Sequence, residues 1–195
     1  MSFNFESYIE ENKVNLTKLL TADFQEAFHE ACKLILSCFN VGGKLLVCGN
    51  GGSYSDAQHI AGELVNYFTI AHQPLPVITL GSNQTVATAW ANDHDFADQF
   101  SREVGAYGDE KSALFGITTS GTSRNLINAF TKARQMGMKT IALGSERSIP
   151  HLSGIVDCIM PVPGEKTHKI QESHVVVYHA LCIYIEQNLP PRFQI

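Results

Sequence analysis

Short apolar segments alternate with helix-like segments along most of this chain. The first of them is followed by a glycine turn and a helix start, and the pattern then repeats. The strand candidates are residues 44–48, 76–80, 112–117, 139–143 and 158–162. Strands that alternate with helices are typical of parallel sheets. The sequence therefore predicts an α/β fold, a three-layer α-β-α sandwich in which helices cover both faces of a central parallel sheet.

The two ends of the chain are predicted to be helical. Apolar spacing indicates two helices within residues 4–40 and one long helix over about residues 168–187. Residues 81–110 are rich in Asn and Asp and are predicted as an irregular excursion, although 82–91 and 95–105 also fit helices. No break in composition divides the chain, so we expect a single domain over residues 1–195.

Charge and composition narrow the classes of protein to consider. The chain carries 14 Lys and Arg against 19 Asp and Glu, a net charge of −5, which argues against a general nucleic-acid binder. No apolar run is long enough to cross a membrane, and the acidic N-terminus does not resemble a signal peptide. Only 17% of the residues are charged, so we expect part of the surface to be covered in an oligomer.

The cysteines indicate a reducing compartment. There are five, an odd number, and no two of them form a C-x-x-C pair. Each lies in an apolar stretch, which favours buried thiols over disulfides or a zinc knuckle. We therefore expect a cytoplasmic protein.

Two polar loops follow predicted strands. The first, Gly49–Ser53, offers free backbone N–H groups at Asn50, Gly51 and Gly52, together with a hydroxyl at Ser53. The second, residues 118–123, carries five hydroxyls around one glycine, among them Thr118, Thr119, Ser120 and Ser123. Ligands bind beyond the carboxyl ends of parallel strands, and amides with hydroxyls at helix starts suit a phosphate. The alternative is that these Ser and Thr residues only cap helices.

Neither loop has the sequence of a known nucleotide-binding turn. No Gly-Lys-Ser/Thr follows, and G-N-G-G-S lacks the dinucleotide spacing. Hydroxyl donors without Lys or Arg favour a phosphomonoester over a nucleoside triphosphate.

Titratable side chains with helical spacing lie near the first loop. His59 and Glu63 are four residues apart on one helical face, where they could bind a metal or supply a general base. The alternative is a surface His–Glu pair. The apolar C-terminal helix carries Gln171, His174 and His179, and one of its histidines is expected to be a satisfied core residue, although spacing does not say which.

A polar cluster at residues 92–95 forms a third candidate. Asn92 and Asp93 could reach a site from a loop, or the cluster could be a turn with an Asx cap. The neighbouring Trp90 and Phe96 are predicted to be core anchors, and Arg124 is expected to be solvated at a helix start.

Three strings together resemble a known family. They are CGNGGSYSDAQHIAGE at 48–63, ITTSGTS at 117–123 and KIQESHVVVYH at 169–179. They resemble the sugar-isomerase (SIS) fold and, more narrowly, the phosphoheptose isomerases, over almost the whole chain. The resemblance implies interconversion of sedoheptulose 7-phosphate and D-glycero-D-manno-heptose 7-phosphate through an enediol. That reaction is the first step toward the heptose of bacterial lipopolysaccharide or capsule.

The resemblance also implies roles for individual residues. Glu63 matches the general base and His179 its acid partner. One zinc ion per subunit is implied, with ligands at His59, Glu63, Gln171 and His179. Substrate contacts are implied for a wider set: Asn50, Gly51, Gly52, Ser53, Glu63, Asn92, Asp93, Thr118, Thr119, Ser120, Ser123 and Gln171. Homotetramers with sites at subunit interfaces are typical of the family, and residues 1–41 are expected to take part in that packing.

Two alternatives within the fold stay open. One is a non-catalytic relative that binds a replication-initiation protein, and the other is a phosphosugar-sensing module. His59, Glu63 and His179 disfavour the first, because such relatives lack the acid and base. Two positions also depart from the family: Tyr67 stands where an Arg is usual, and His168 where some members have Asp. Both departures bear on which sugar phosphate is preferred.

Overall fold

Five parallel strands form the central sheet in the computed structural model, which describes residues 3–195. The strands are β1 (Leu45–Gly49), β2 (Val77–Thr79), β3 (Ala113–Ile117), β4 (Lys139–Ser145) and β5 (Cys158–Val162). Their order is β2-β1-β3-β4-β5. Val47 of β1 is aligned with Thr79 on one side and with Phe115 on the other. Each strand candidate in the sequence is confirmed, with small shifts at the ends.

Helices make up most of the remaining chain. They are α1 (Phe5–Lys18), α2 (Ala22–Asn40), α3 (Gly52–Val65), α4 (Gln84–Asp93), α5 (Gln99–Tyr107), α6 (Arg124–Gln135), α7 (Ile149–Leu152) and α8 (Thr167–Gln187). Short 3₁₀ turns span Phe96–Asp98, Glu146–Ser148 and Pro191–Phe193. Across residues 3–195, none of the helices combines the length and hydropathy that a bilayer span requires.

Successive side chains of β1 belong to two separate hydrophobic cores, one on each face of the sheet. Leu45 and Val47 face a cluster formed with α2, α3 and α8, whereas Leu46 and Cys48 face a cluster formed with α5 and α6. Alternation of this kind is expected because successive strand side chains point to opposite faces. The predicted three-layer sandwich is therefore confirmed. All five cysteines are buried and unpaired, as predicted.

The N-terminal helix is held against α8 by a buried lysine. Lys169 Nζ donates to the Tyr8 carbonyl at 2.9 Å and to Asn12 Oδ1 at 2.6 Å, and it lies over the Tyr8 ring. These contacts satisfy an ammonium group that is only 1% exposed. The role of segment 1–41 in oligomer packing stays a prediction, and its first two residues lie outside the described residues.

The segment 81–110 differs most from its prediction. It is mainly helical, with α4, a 3₁₀ turn and α5 in succession. None of the residues of α4 is buried, and Phe96 is 53% exposed. The prediction of Trp90 and Phe96 as core anchors was wrong, because Phe100 and Val104 of α5 fill that part of the core instead.

The order of the strands determines where a ligand can bind. The connection after β1 leads outward to β2, and the connection after β3 leads the opposite way to β4. The loops after β1 and β3 therefore leave a crevice at the topological switch point, which is where open α/β sheets bind ligands.

Candidate active site

The first loop turns sharply between β1 and α3. Gly51 caps the helix with φ +57° and ψ −124°, a backbone conformation that residues with a Cβ rarely adopt. A Cβ on Gly49 would collide with the backbone of Ser53. These glycines let the N-terminus of α3 open directly onto the crevice. Within the described residues, no side chain caps this helix.

The second loop uses some of its hydroxyls for its own structure and leaves others available. Thr118 Oγ1 accepts from the Gly121 N–H at 3.0 Å, and Ser120 Oγ accepts from the Thr122 N–H at 3.2 Å. Ser123 caps the start of α6 by position, yet its side chain makes no capping hydrogen bond within residues 3–195. The purely structural alternative therefore accounts for Thr118 and Ser120 but not for Ser123.

Three helix N-termini meet in one cavity of about 260 Å³. Its lining comes from the starts of α3, α6 and α8 and from the end of β3: Asn50, Gly51, Gly52, Ser53, Ile117, Thr118, Thr119, Ser120, Ser123, Thr167 and Gln171. Among these described residues there is no Lys or Arg. Uncapped N-termini present free N–H groups and the positive ends of three helix dipoles, so the cavity is suited to an anion. We refer to it as the phosphate cradle.

Gln171 of α8 forms one wall of the cradle. Its amide packs so closely on Gly52 that a Cβ at residue 52 would collide with it. The start of α3 and the start of α8 are thus in direct contact. A larger, shallow groove of about 700 Å³ lies at the far end of α8 and contains none of the predicted site residues.

A reciprocal amide pair joins the two loops. Asn50 Nδ2 donates to Asn125 Oδ1, and Asn125 Nδ2 donates to Asn50 Oδ1, both at 2.9 Å. Asn125 is only 3% exposed, and its Oδ1 also accepts from the Leu126 N–H. This pair holds the loops after β1 and β3 at a fixed separation.

A second cluster lies further along the same two helices. His59 and Glu63 of α3 meet His179 of α8, and one ligand atom from each lies within 4.8 Å of the others. His59 Nε2 is 2.8 Å from Glu63 Oε1, and the two imidazole rings are 5.0 Å apart. Because Gly52 contacts Gln171 and His59 contacts the ring of His179, α3 and α8 run in parallel. The cluster lies about 10 Å along α3 from the cradle.

The environment of His179 sets its protonation. Burial, and after it the nearby His59 charge, lower the pKa of His179, while Glu63 acts in the opposite direction. Phe68 stacks on the imidazole at 5.2 Å. The Phe68 segment is fixed by Glu186, whose carboxylate accepts from the N–H groups of Phe68 and Thr69 at 2.5 and 2.8 Å. His179 is therefore a neutral imidazole near neutral pH, held in place by its neighbours.

His174 is the histidine of α8 that serves the core. It is fully buried and its Nε2 donates to the Gly144 carbonyl at 2.9 Å. Burial lowers the pKa of His174 to about 4. The question that spacing left open is thus answered: His174 faces the sheet and His179 faces α3.

Comparisons with known proteins identify the family of this chain. The family model for the SIS domain matches residues 7–145. A phosphoheptose isomerase of Thermodesulfovibrio yellowstonii is 42% identical over 160 residues, which cover 82% of this chain and 79% of that protein.

Solved structures extend the similarity to the fold. The phosphoheptose isomerase of Francisella tularensis has a TM-score of 0.88 at 35% identity, covering 94% of this chain and 97% of that one. The one from Neisseria gonorrhoeae has a TM-score of 0.85 at 33% identity, covering 93% and 97%. The chain belongs to the phosphoheptose isomerase family of SIS-domain proteins.

Asn92 and Asp93, at the end of α4, do not reach the cradle of their own chain. Asn92 and Asp93 are exposed, and Asn92 Nδ2 donates to Asp93 Oδ1 at 2.8 Å. Neither lines the cradle. Asp95 takes the capping role that was the alternative for this cluster, because its Oδ1 accepts from the Ala97 N–H. Substrate contact by Asn92 and Asp93 stays a prediction.

The two departures from the family pattern are both at the surface. Tyr67 is 52% exposed and directly precedes Phe68, the residue that stacks on His179. His168 is exposed and stacks on Tyr8 at 6.0 Å, directly before the buried Lys169 of α8. Tyr67 is therefore the departure that lies closer to the His59–Glu63–His179 cluster along the chain.

Several site residues gave no signal in the sequence. Thr167 lines the cradle, Asn125 pairs with Asn50, and Tyr178 contacts His59. Thr167 lies directly before one predicted helix start and Asn125 directly after another, which is the one local feature that could have drawn attention to them. Tyr178 could be found only by knowing that α8 packs beside α3.

Proposed function

We propose that this protein is an aldose–ketose isomerase that interconverts sedoheptulose 7-phosphate and D-glycero-D-manno-heptose 7-phosphate. The observation that carries this proposal is the pairing of a neutral phosphate cradle with an acid–base cluster on the same two parallel helices. Their separation of about 10 Å suits an extended sugar phosphate, whose phosphate and carbonyl ends are far apart. The family membership supports the same reaction class.

Substrate binding begins at the cradle. Backbone N–H groups at Gly51 and Gly52 and the hydroxyls of Thr119 and Ser123 are placed to donate to the phosphate oxygens. Fixing the phosphate orients the rest of the sugar, so that its C1 and C2 lie beside Glu63 and His179. Gln171, in the wall of the cradle, is proposed to contact the sugar.

The isomerisation needs one base and one proton carrier. The Glu63 carboxylate takes the proton from C2 of the aldose, and the electron pair forms the enediol. His179 moves a proton between the oxygens on C1 and C2, and Glu63 returns its proton to C1. No net oxidation occurs, because the hydrogen removed from one carbon is restored to the other. The lowered pKa of His179 keeps its ring able to accept a proton near neutral pH.

The cluster also fits a zinc ion. His59, Glu63 and His179 offer an imidazole–carboxylate–imidazole set, and His179 Nε2 is buried without a hydrogen-bond partner in the described chain. Gln171 is the predicted fourth ligand, although it lies about 12 Å before His179 along the axis of α8. When bound, zinc would act as a Lewis acid toward the two substrate oxygens.

We also propose that the protein assembles as a homotetramer in the cytoplasm, with segment 1–41 in the interfaces. Phe5, Val14 and Leu20 are 56–71% exposed, which supports covering of this segment by another subunit. Five buried free thiols support a reducing compartment. The family resemblance supports a product on the route to the heptose of lipopolysaccharide or capsule.

One assay tests the activity. Purified protein is incubated with sedoheptulose 7-phosphate, and the aldose is followed by NMR with and without added zinc. We expect conversion that a strong chelator suppresses. Binding of the sugar phosphate without conversion would instead favour the phosphosugar-sensing alternative. Activity that survives complete removal of metal would exclude zinc as a requirement and leave Glu63 and His179 as a metal-independent pair.

A further inference from the structure

The first turn of α8 lies between the phosphate cradle and α1. Thr167 and Gln171 line the cradle. Lys169 stands two residues from each of them, and two residues of an α-helix turn through about 200°, so its side chain leaves the opposite side of the helix. That side meets α1, since Lys169 Nζ donates to the Tyr8 carbonyl and to Asn12 Oδ1. The α8 wall of the cradle is therefore backed by α1.

Lys169 occupies an unfavourable place for a cation. Its side chain is only 1% exposed, and burial of an ammonium group costs free energy unless the group is well paired. It also lies in the first turn of α8, beside the positive end of the helix dipole. An apolar side chain of similar length would avoid both costs, so the stability of the fold alone does not account for a lysine here.

The contacts of this lysine join α1 to the start of α8 at several points. On α1, Nζ lies 2.9 Å from the Tyr8 carbonyl oxygen and 2.6 Å from Asn12 Oδ1, and it lies over the Tyr8 ring. On α8, Nζ is 3.4 Å from Glu172 Oε2, while the Tyr8 hydroxyl donates to Glu172 Oε1. The Tyr8 ring also stacks on His168 at 6.0 Å. Charge-assisted hydrogen bonds of this kind fix the geometry of the groups that they join.

The start of α8 has few other restraints. Lys166 stands at the N-cap position, and its side chain makes no capping hydrogen bond within residues 3–195. Residues 165–168, which lead into the helix, are all exposed. Helix ends with few partners open locally at little cost in free energy. Ile170 fixes this turn to the core, and the Lys169 contacts fix it to α1.

We propose that Lys169 is a positioning residue that docks α1 on α8 and so holds Thr167 and Gln171 in the wall of the phosphate cradle. This inference rests on the proposed function for the ligand, which is a phosphate group. It adds to that function an element, α1, that contributes none of the described lining residues. Without the docking, the first turn of α8 loosens and the cradle binds phosphate more weakly.

The test measures both the order of this turn and the affinity of the cradle in the full-length chain. Lys169→Met keeps the length of the side chain and removes the ammonium group. Hydrogen–deuterium exchange with mass spectrometry reports on the amides of residues 167–173, and we expect them to exchange about tenfold faster, with residues 176–187 unchanged. Calorimetry with inorganic phosphate is expected to show an affinity about tenfold lower than that of wild type.

Enzyme kinetics separate positioning from general damage to the fold. The acid–base cluster lies further along α3 and α8, so we expect the KM for sedoheptulose 7-phosphate to rise in Lys169→Met while kcat stays close to wild type. Partial unfolding would instead lower the amount of active enzyme, which reduces the apparent kcat and leaves KM unchanged.

Two further variants sharpen the test. Lys33→Met makes the same change at an exposed lysine of α2, which pairs with Glu30 at 3.2 Å, and it is expected to match wild type in every measurement. Asn12→Ala removes one acceptor on α1 and leaves α8 intact. It should change exchange and phosphate affinity in the same direction as Lys169→Met, by a smaller factor. Asn12→Ala decides the question if Lys169→Met does not fold.

The outcomes separate this inference from the proposed function. A folded Lys169→Met protein that matches Lys33→Met in exchange and in phosphate affinity would overturn the inference. A change in only one of these two measurements would also contradict it, because order of the turn and affinity of the cradle would then be independent. Phosphate binding without isomerisation would leave the inference standing and remove the proposed reaction. If wild type binds no phosphate, the proposed cradle fails, and exchange in Lys169→Met and Asn12→Ala alone decides whether α1 holds this turn.

Discussion

Gly52 determines how closely α3 and α8 approach each other in the cradle. Gly52 has no side chain, and the Gln171 amide occupies the space that a Cβ would need. We predict that Gly52→Ala displaces this amide and weakens binding of inorganic phosphate about tenfold, close to 1.4 kcal/mol. Titration calorimetry measures the affinity directly.

Gly62 provides a matched control on the same helix. A Cβ there would meet nothing within 4 Å. Gly62→Ala should leave phosphate affinity unchanged and raise the free energy of unfolding by about 1 kcal/mol, since alanine favours helix. If the two alanine variants bind phosphate equally well, the close approach of Gln171 to Gly52 does not shape the cradle.

The second residue-level prediction concerns the base. Glu63→Gln keeps the size of the side chain and one of its oxygens but removes the group that accepts a proton. We expect turnover of the heptose phosphate to fall about 100- to 10,000-fold. Phosphate binding should persist, because the cradle lies about three turns of α3 away from Glu63. The NMR assay measures turnover and calorimetry measures phosphate binding.

An exposed glutamate gives the comparison for this change. Glu26→Gln, on the surface of α2, should match wild type in both measurements. Full turnover in Glu63→Gln would remove Glu63 from the role of base and would direct attention to another group in the cluster.

At the level of whole elements, α8 carries a histidine that makes stability depend on pH. Burial lowers the pKa of His174 to about 4 from 6.5. Between these values the unfolded chain binds a proton that the folded chain does not, so stability falls as the pH drops from 6.5 toward 4. We expect this residue to account for about 3 kcal/mol of that loss. Urea unfolding at a series of pH values measures it.

Glutamine at position 174 separates this effect from the other titrating groups. His174→Gln can still donate to the Gly144 carbonyl but does not titrate, so its stability should depend less on pH than that of wild type. The exposed His151→Gln should keep the wild-type dependence. An equal pH dependence in wild type and His174→Gln would contradict the assignment of His174 to the core.

The elements also show why some of the site was predictable from sequence and some was not. The loops after β1 and β3 were found because a strand that ends in glycine and hydroxyl residues before a helix leaves a local pattern. His59 and Glu63 were paired because helical spacing is local too. Asn125 and Tyr178 were missed because their partners come from elements more than 70 residues away. Phe96 was wrongly predicted to be in the core because its apolar character does not determine which other residues cover it.

At the level of the whole molecule, the net charge explains the form of the cradle. A chain of net charge −5 gains nothing from its overall field when it binds a phosphate. Its selectivity must come from local donors, and three helix N-termini provide them without a lysine or arginine among the described lining residues. We therefore expect phosphate binding to depend on salt less steeply than in proteins that rely on basic side chains.

The apolar side chains that remain exposed near the cluster are relevant to subunit assembly. Val176 of α8 is 47% exposed three residues before His179. The side chain of His59 in the same cluster is 46% exposed. An apolar side chain beside a half-open acid–base cluster suggests that a second subunit completes the walls of the site.

Assembly provides the last prediction. Light scattering at micromolar concentration should give four times the chain mass of 21.4 kDa. Val176→Lys or Phe5→Lys should reduce that mass, because each places a charge where an interface is expected, and Val176→Lys should also lower turnover. Tyr107→Lys, at a 38% exposed residue at the end of α5 and outside segment 1–41, should remain tetrameric. A wild-type monomer would contradict the assembly. Dissociation of Val176→Lys with full turnover would show instead that one subunit holds a complete site.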